Sequence, residues 1–337
     1  MKTDPGIGNA DLKIDKADPG VDKADLKIDK ADLSVRIGCL KLKNPVLTAS
    51  GTFGYGTEYA ECIEIEKLGG IVTKTITLHP REGNPMPRIA ETPAGMLNSI
   101  GLANVGAERF LKEKLPDLEG LDTAVVVNVA GNTVDEYGAV TEIIQAHPRV
   151  DAIEVNVSCP NVREGGLAFG TDARALAEAV RNVRRATKKT VIVKLTPNVT
   201  DIAAMAKAAV EAGADALSLI NTLVGMAVDV QTRRPLIGRT LAGLSGPAIK
   251  PVALAMLYKV RKAVSVPLIG VGGIFSWKDA LEFLITGATA VQTGTLNFVE
   301  PDGAWKVVEG IRRYCKEKEI RHVSDLVGTL KEYPLDM

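Results

Sequence analysis

The sequence predicts a (β/α)8 barrel, an α/β fold of the TIM-barrel type, and three observations predict it. Eight short runs rich in β-branched residues follow one another from Asn44 onward. Alanine- and leucine-rich stretches with helical spacing separate them, and a polar residue or a glycine turn stands at the carboxyl end of each run. Strands that alternate with helices pair in parallel through βαβ crossovers. Eight such strands favour closure into a barrel over the alternative, an open doubly wound sheet.

The elements can be taken in order. The first 33 residues form a separate charged segment, in which Ala10–Asp18 (ADLKIDKAD) recurs as Ala24–Asp32. Two copies are too few for a solenoid. With alternating charge and few large apolar side chains, the segment reads as a disordered or weakly helical tail with no catalytic role. Residues 34–337 are expected to form the barrel domain. Its strands are expected at 45–49, 70–74, 123–128, 152–157, 190–195, 216–221, 267–271 and 290–293, with helices among others over 173–186, 203–212 and 249–264. Two long connections break the repeat, 75–103 and 222–245, both rich in glycine and the first also in proline. They follow the second and sixth strands, so they should roof the carboxyl ends of the strands, where barrels place their sites.

Composition narrows the function classes. A chain of 337 residues buries one large core, and 46% of it is hydrophobic with only 4% aromatic, which suits buried parallel strands. Lysine plus arginine (41) balance aspartate plus glutamate (41), so there is no electrostatic reason to expect nucleic acid or an anionic membrane surface as partner. No stretch approaches the roughly 20 apolar residues of a spanning helix, and the amino terminus lacks the apolar region of a signal peptide. The expectation is a soluble, cytoplasmic protein. The four cysteines, Cys39, Cys62, Cys159 and Cys315, include no CxxC pair, which argues against a metal site or iron–sulfur cluster on this chain alone.

The residues at the strand ends carry the chemistry. Ser50, Lys74, Asn128, Asn156, Lys194 and Asn221 close the first six strands, and the turns Gly272–Gly273 and Gly294–Thr295 close the last two. Such positions converge on one volume at the barrel mouth. Two lysines, three asparagines and two glycine turns suit a large, planar, hydrogen-bonding anion better than a sugar or a metal. A single asparagine there is often only a turn residue, but three together are hard to explain that way. Lys74 and Lys194 end apolar runs, where an ammonium without a partner is costly. The glycines let backbone N–H groups approach a phosphate, and barrels commonly bind one after strands seven and eight; their plainer reading is that they only make tight turns. Ser276 with Asp279 resembles a capping box for the helix that follows.

The three histidines, His79, His147 and His322, fall outside this set, so a base must come from elsewhere. Cys159 lies just beyond the fourth strand on a glycine-containing loop, where a stabilised thiolate can act as nucleophile or base. Cys39, Cys62 and Cys315 read as packing residues. From these residues alone, a phosphate-binding lyase or isomerase using Lys74 or Lys194 also remains open, as does a non-catalytic flavin- or nucleotide-binding module.

Six segments in order, Asn44–Gly51 (NPVLTASG), Lys74–Thr75, Gly83–Arg88 (GNPMPR), Asn98–Leu102 (NSIGL), Asn156–Asn161 (NVSCPN) and Gly243–Pro251 (GLSGPAIKP), resemble dihydroorotate dehydrogenases. The resemblance runs from about Asn44 to Pro301. It implies that Ser50, Lys74, Thr75, Asn128, Asn156, Lys194, Ile220, Gly246, Gly272, Gly273, Gly294 and Thr295 hold FMN. It implies that Lys74, Asn98, Ser99, Ile100, Gly101, Leu102, Asn156, Asn161, Asn221 and Thr222 contact the pyrimidine, and that Cys159 is the catalytic base, a cysteine there marking the soluble class. Cys159 would take the C5 proton of dihydroorotate while the C6 hydride leaves to the flavin. Lys194 would stabilise the negative charge that reduction places near flavin N1. The LSGPAIKP stretch is similar to the subclass that reduces NAD+ through a partner subunit carrying FAD and a 2Fe-2S cluster, assembled as a heterotetramer around a homodimer. The homodimeric, fumarate-linked subclass is the alternative, since it too lacks a cluster.

Overall fold

The computed structural model describes residues 31–158 and 169–333. The repeat-bearing segment before Ala31, and with it most of the expected tail, lies outside the described residues, as do Cys159 and Asn161.

Eight strands form one closed parallel barrel. They are β1 (Val46–Thr48), β2 (Gly70–Val72), β3 (Ala124–Val129), β4 (Ala152–Asn156), β5 (Thr190–Leu195), β6 (Ala216–Leu219), β7 (Leu268–Val271) and β8 (Ala290–Thr293). Each pairs with its successor, and β8 closes on β1 with Thr293 opposite Thr48. These are the eight runs expected from sequence, trimmed by a few residues at some ends. They are buried on both faces, because helices cover the outside and side chains fill the interior.

The helices follow their local chemistry. Thr133, Asp172, Asp201 and Ser276 each cap the helix that follows with a side-chain oxygen that accepts a first-turn N–H. In the last case Asp279 accepts in return from the Ser276 hydroxyl at 2.8 Å and from the Phe275 N–H at 3.0 Å. The helices Ala173–Ala186 and Lys250–Ala263 lay alanine, leucine and valine against the strands and turn arginine and lysine outward at their carboxyl ends, as the helix dipole favours.

Two features beyond the repeat close the barrel's ends. An antiparallel hairpin, Val35–Ile37 with Leu40–Leu42, sits at the amino end, where the Cys39 N–H donates to Thr190 Oγ1 at 3.1 Å. Ala31 and Leu33, at the edge of the segment read as a tail, are already buried in the same core. Over the carboxyl end, the two long connections meet in a four-stranded antiparallel sheet, ordered Leu223–Gly225, Ala242–Ser245, Gly95–Asn98 and Ile89–Thr92. The glycines that made these segments look irregular are what allow the sheet. A Cβ on Gly95 would lie 2.0 Å from the Ser245 carbonyl oxygen, and one on Gly243 would lie 2.3 Å from Thr222 Oγ1.

One expectation is corrected. Cys315 is a core residue, but Cys39 and Cys62 are exposed. Cys39 occupies the turn of the amino-terminal hairpin, and Cys62 a loop between short helical turns, so neither packs an apolar face. Among the described residues, no helix is long and apolar enough to cross a membrane.

Candidate active site

The carboxyl ends of the strands and the roof sheet enclose one pocket, holding about 1130 Å³ of empty space out to its open mouth. Its wall brings together Ser50, Lys74, Thr75, Asn156, Lys194, Ile220, Gly246, Gly272, Gly273, Gly294 and Thr295 from the expected cofactor set. From the expected substrate set it adds Asn98, Ile100, Leu102, Asn221 and Thr222. Side chains alternate along a strand, so Glu154, two before Asn156, and Gln292, two before Gly294, also point inward, one layer deeper.

The cationic end rests on such a deeper layer. Lys194, only 4% exposed, donates to Ser50 Oγ at 3.2 Å and lies 3.7 Å from Glu154 Oε1. Glu154 is fully buried two residues before Asn156, and every one of its partners is a donor: Asn128 Nδ2 at 2.7 Å, Ser218 Oγ at 2.9 Å and Gln292 Nε2 at 2.8 Å. Asn128 is thus not on the pocket wall. Its amide is turned into this floor, where Asn128 Oδ1 and Gln292 Oε1 are buried with no partner among the described residues. On the opposite side, burial pushes the Lys74 ammonium below the usual lysine range. The Arg88 charge adds to that, and the Glu58 carboxylate pulls the other way.

Beside Lys194 the asparagines form a chain. Asn221 Nδ2 donates to Asn156 Oδ1 at 3.3 Å and to Ser158 Oγ at 2.9 Å, while the Ser158 N–H donates to Asn156 Oδ1 at 3.1 Å. The Tyr137 hydroxyl donates to the Asn156 backbone carbonyl at 2.8 Å, and Asn221 Oδ1 accepts the Thr222 N–H at 2.8 Å. Asn98 hangs from the roof with its amide on the Gly243 carbonyl at 3.3 Å. Leu102 follows with φ 57, a left-handed conformation rare outside glycine. Asn104 Nδ2 grips its carbonyl at 2.8 Å. Ser99 and Gly101 are not on the wall: they support the turn, the Ser99 hydroxyl accepting from Asn84 Nδ2 at 2.7 Å.

The far end is a glycine cradle. Gly246, Gly272 and Gly273 have φ of 100, 126 and 72, so the tight-turn explanation applies to them. It does not apply to Gly294, whose φ lies outside the positive region and whose Cβ would find only ordinary contacts, 3.7 Å to Ala49 and 3.9 Å to Thr52. The protein itself leaves room for a side chain there. Beneath the cradle, Lys250 joins Asp279 at 2.6 Å and Glu282 at 3.0 Å. Burial works against the Asp279 charge, yet Lys250, Ser276 and the Phe275 N–H together hold its carboxyl below the usual range.

Sequence reading passed over Glu154, Ser218 and Gln292. The available signal was a charged or polar residue interrupting an apolar strand at an inward position, as Glu154 does in Ala152–Asn156. The three histidines are all absent from the pocket wall.

Fold and site together define a class: a (β/α)8 barrel whose mouth is cationic and amide-lined at one end and glycine-cradled at the other. The chain belongs to the dihydroorotate dehydrogenase family, whose model matches residues 32–314. Among its relatives are proteins named dihydroorotate dehydrogenase B (NAD(+)), catalytic subunit. The one from Geotalea daltonii is 57% identical over 297 residues, covering 88% of this chain and 97% of the relative. That from Geotalea uraniireducens is 56% identical over 296 residues, covering 88% and 97%. That from Bacteroides fragilis is 52% identical over 297 residues, covering 88% and 98%.

Proposed function

We propose that this chain oxidises (S)-dihydroorotate to orotate in pyrimidine biosynthesis, with FMN as its cofactor and NAD+ as the final acceptor through a partner subunit. Support comes first from the pocket wall, which joins Lys194, Asn156 and Asn221 at one end to Gly272, Gly273, Gly294 and Thr295 at the other. FMN fits what is there. Gly294 leaves unneeded room where a phosphate would rest, and Lys194 with the Asn156–Asn221 pair offers a charge and amide groups on the wall to an isoalloxazine or pyrimidine ring. FMN, when bound, accepts the hydride.

The chain's own groups do the rest. Lys194, braced by Ser50 and Glu154, presents a fixed positive charge to the ring system, and preorganised charge costs no rearrangement when the electron distribution shifts. Asn156 and Asn221 hold each other's amides in register, so that a pyrimidine lacking the matching groups leaves buried polar atoms unpaired. Cys159, which lies outside the described residues, is the base that takes the C5 proton. Lys194 is poorly suited to Schiff-base chemistry, since its ammonium is committed to Glu154 and Ser50.

The word "catalytic subunit" in the relatives' names supports a second, electron-transferring subunit, which carries FAD and a 2Fe-2S cluster in this reading. The assembly is a heterotetramer around a homodimer of this chain, in the cytoplasm. The test is stopped-flow bleaching of the flavin by dihydroorotate. Cys159→Ala keeps FMN and orotate binding but slows bleaching at least about a hundredfold, the scale of general-base catalysis. A near-normal rate removes Cys159 from the mechanism, and a wild-type protein indifferent to FMN removes the whole reading.

A further inference from the structure

We infer that Glu154 is a positioning residue that offsets the charge of Lys194 and so sets how tightly the flavin holds its electrons. The inference rests on the FMN reading above and deepens it.

The observation is an arrangement, and no pocket-wall residue reveals it. Glu154 lies in the interior layer of the barrel, 0% exposed, and is absent from the wall. Its two oxygens are used evenly. Oε1 takes Asn128 Nδ2 and faces Lys194 Nζ, while Oε2 takes Ser218 Oγ and Gln292 Nε2. The partners come from β3, β5, β6 and β8, so four strands converge on one carboxylate. A buried charge costs folding energy that an apolar side chain would not, and the interior of a barrel is ordinarily filled by branched apolar residues. The arrangement therefore calls for a role beyond packing.

Lys194 supplies one. An ammonium at the flavin ring attracts electron density, and taken alone it would make reduction very favourable and onward transfer correspondingly unfavourable. A carboxylate 3.7 Å behind it cancels much of that field at distances longer than the pair's own separation. The local charge still orients and stabilises, while the net charge felt by the ring system stays small. A catalytic subunit that must pass its electrons to a partner needs that compromise.

The network also makes the test tractable. In Glu154→Gln, the new amide N–H group needs an acceptor, and Asn128 Oδ1 and Gln292 Oε1 are buried acceptors without a partner. Rotation of either amide satisfies the substituted side chain with no new volume.

The experiment is a photoreduction of the FMN-loaded protein against a dye of known potential, followed spectroscopically, with wild type, Glu154→Gln and Glu154→Asp compared. Glu154→Gln displaces the flavin–dye equilibrium at least tenfold toward reduced flavin, about 30 mV for a two-electron couple. Glu154→Asp, which keeps the charge, stays within about threefold of wild type. Equilibria for Glu154→Gln and wild type within twofold of each other overturn the assignment, and so do Gln and Asp variants displaced alike, which marks a structural role only. Loss of FMN from Glu154→Gln, where Glu154→Asp and wild type retain it, also overturns the assignment, because it marks a role in holding the cofactor and not in setting its potential. A wild-type protein that binds no FMN overturns the cofactor reading as well, so the two failures are told apart before any variant is measured.

Discussion

Gly294 offers the sharpest separation between a glycine the fold requires and one a ligand requires. Its φ is not in the left-handed region, and an added Cβ would meet nothing nearer than 3.7 Å. Gly294→Ala should therefore leave the apo-protein intact. Reduced freedom in the unfolded chain even favours folding by about 0.4–1 kcal/mol at a compatible site, a melting temperature unchanged or raised by at most about 3 °C for a chain this large. The methyl group instead intrudes on whatever rests in the cradle. An extra methyl in a well-packed site costs about 1–3 kcal/mol, which weakens FMN binding roughly 5- to 150-fold at 1.4 kcal/mol per decade. The assay is quenching of FMN fluorescence on titration with apo-protein, with melting measured on the same apo-protein so that ligand stabilisation does not intervene. Gly273→Ala is the contrast: its φ of 72 and a Cβ 2.7 Å from Lys250 Cβ should lower the apo melting temperature with or without ligand. An FMN affinity of Gly294→Ala within twofold of wild type, at unchanged melting temperature, would refute the cradle. A fall of more than about 5 °C would make Gly294 an ordinary structural glycine.

Two further substitutions probe the cationic end and the roof. Lys194→Ala removes the ammonium and leaves Glu154 buried without its counter-charge, a loss on the order of 3–5 kcal/mol. The protein should melt several degrees lower and purify without its yellow cofactor, and full FMN retention in the absorption spectrum counts against the role of Lys194. Asn104→Ala removes the acceptor of the Thr77 and Gly106 N–H groups and the donor to the Leu102 carbonyl. Stranding such buried groups costs on the order of 3 kcal/mol. It also frees the strained wall residue Leu102, so KM for dihydroorotate rises more than kcat falls, and an unchanged KM sinks that link.

How far the sequence carried depended on which physical signal each element leaves in it. Barrel strands are buried on both faces and bounded by helices, so a run such as Thr190–Leu195 declares itself by composition alone, and the strand-end residues are then found by position. The roof sheet left no such trace. Its strands are three or four residues long, and Gly95 is demanded by the Ser245 backbone and Gly243 by the Thr222 side chain, neighbours distant in the chain, a constraint that exists only once the fold has formed. Asn128 shows a different limit. Its place at a strand end is legible, but its direction is not: the amide turns down toward Glu154 because β4 contributes a carboxylate opposite it in register. Strand-end polarity thus identifies the volume where chemistry happens. The layer beneath it decides which of those groups face the ligand and with what charge, and that layer is written in the strands' inward positions, Glu154, Ser218 and Gln292, where a barrel would otherwise place branched apolar side chains.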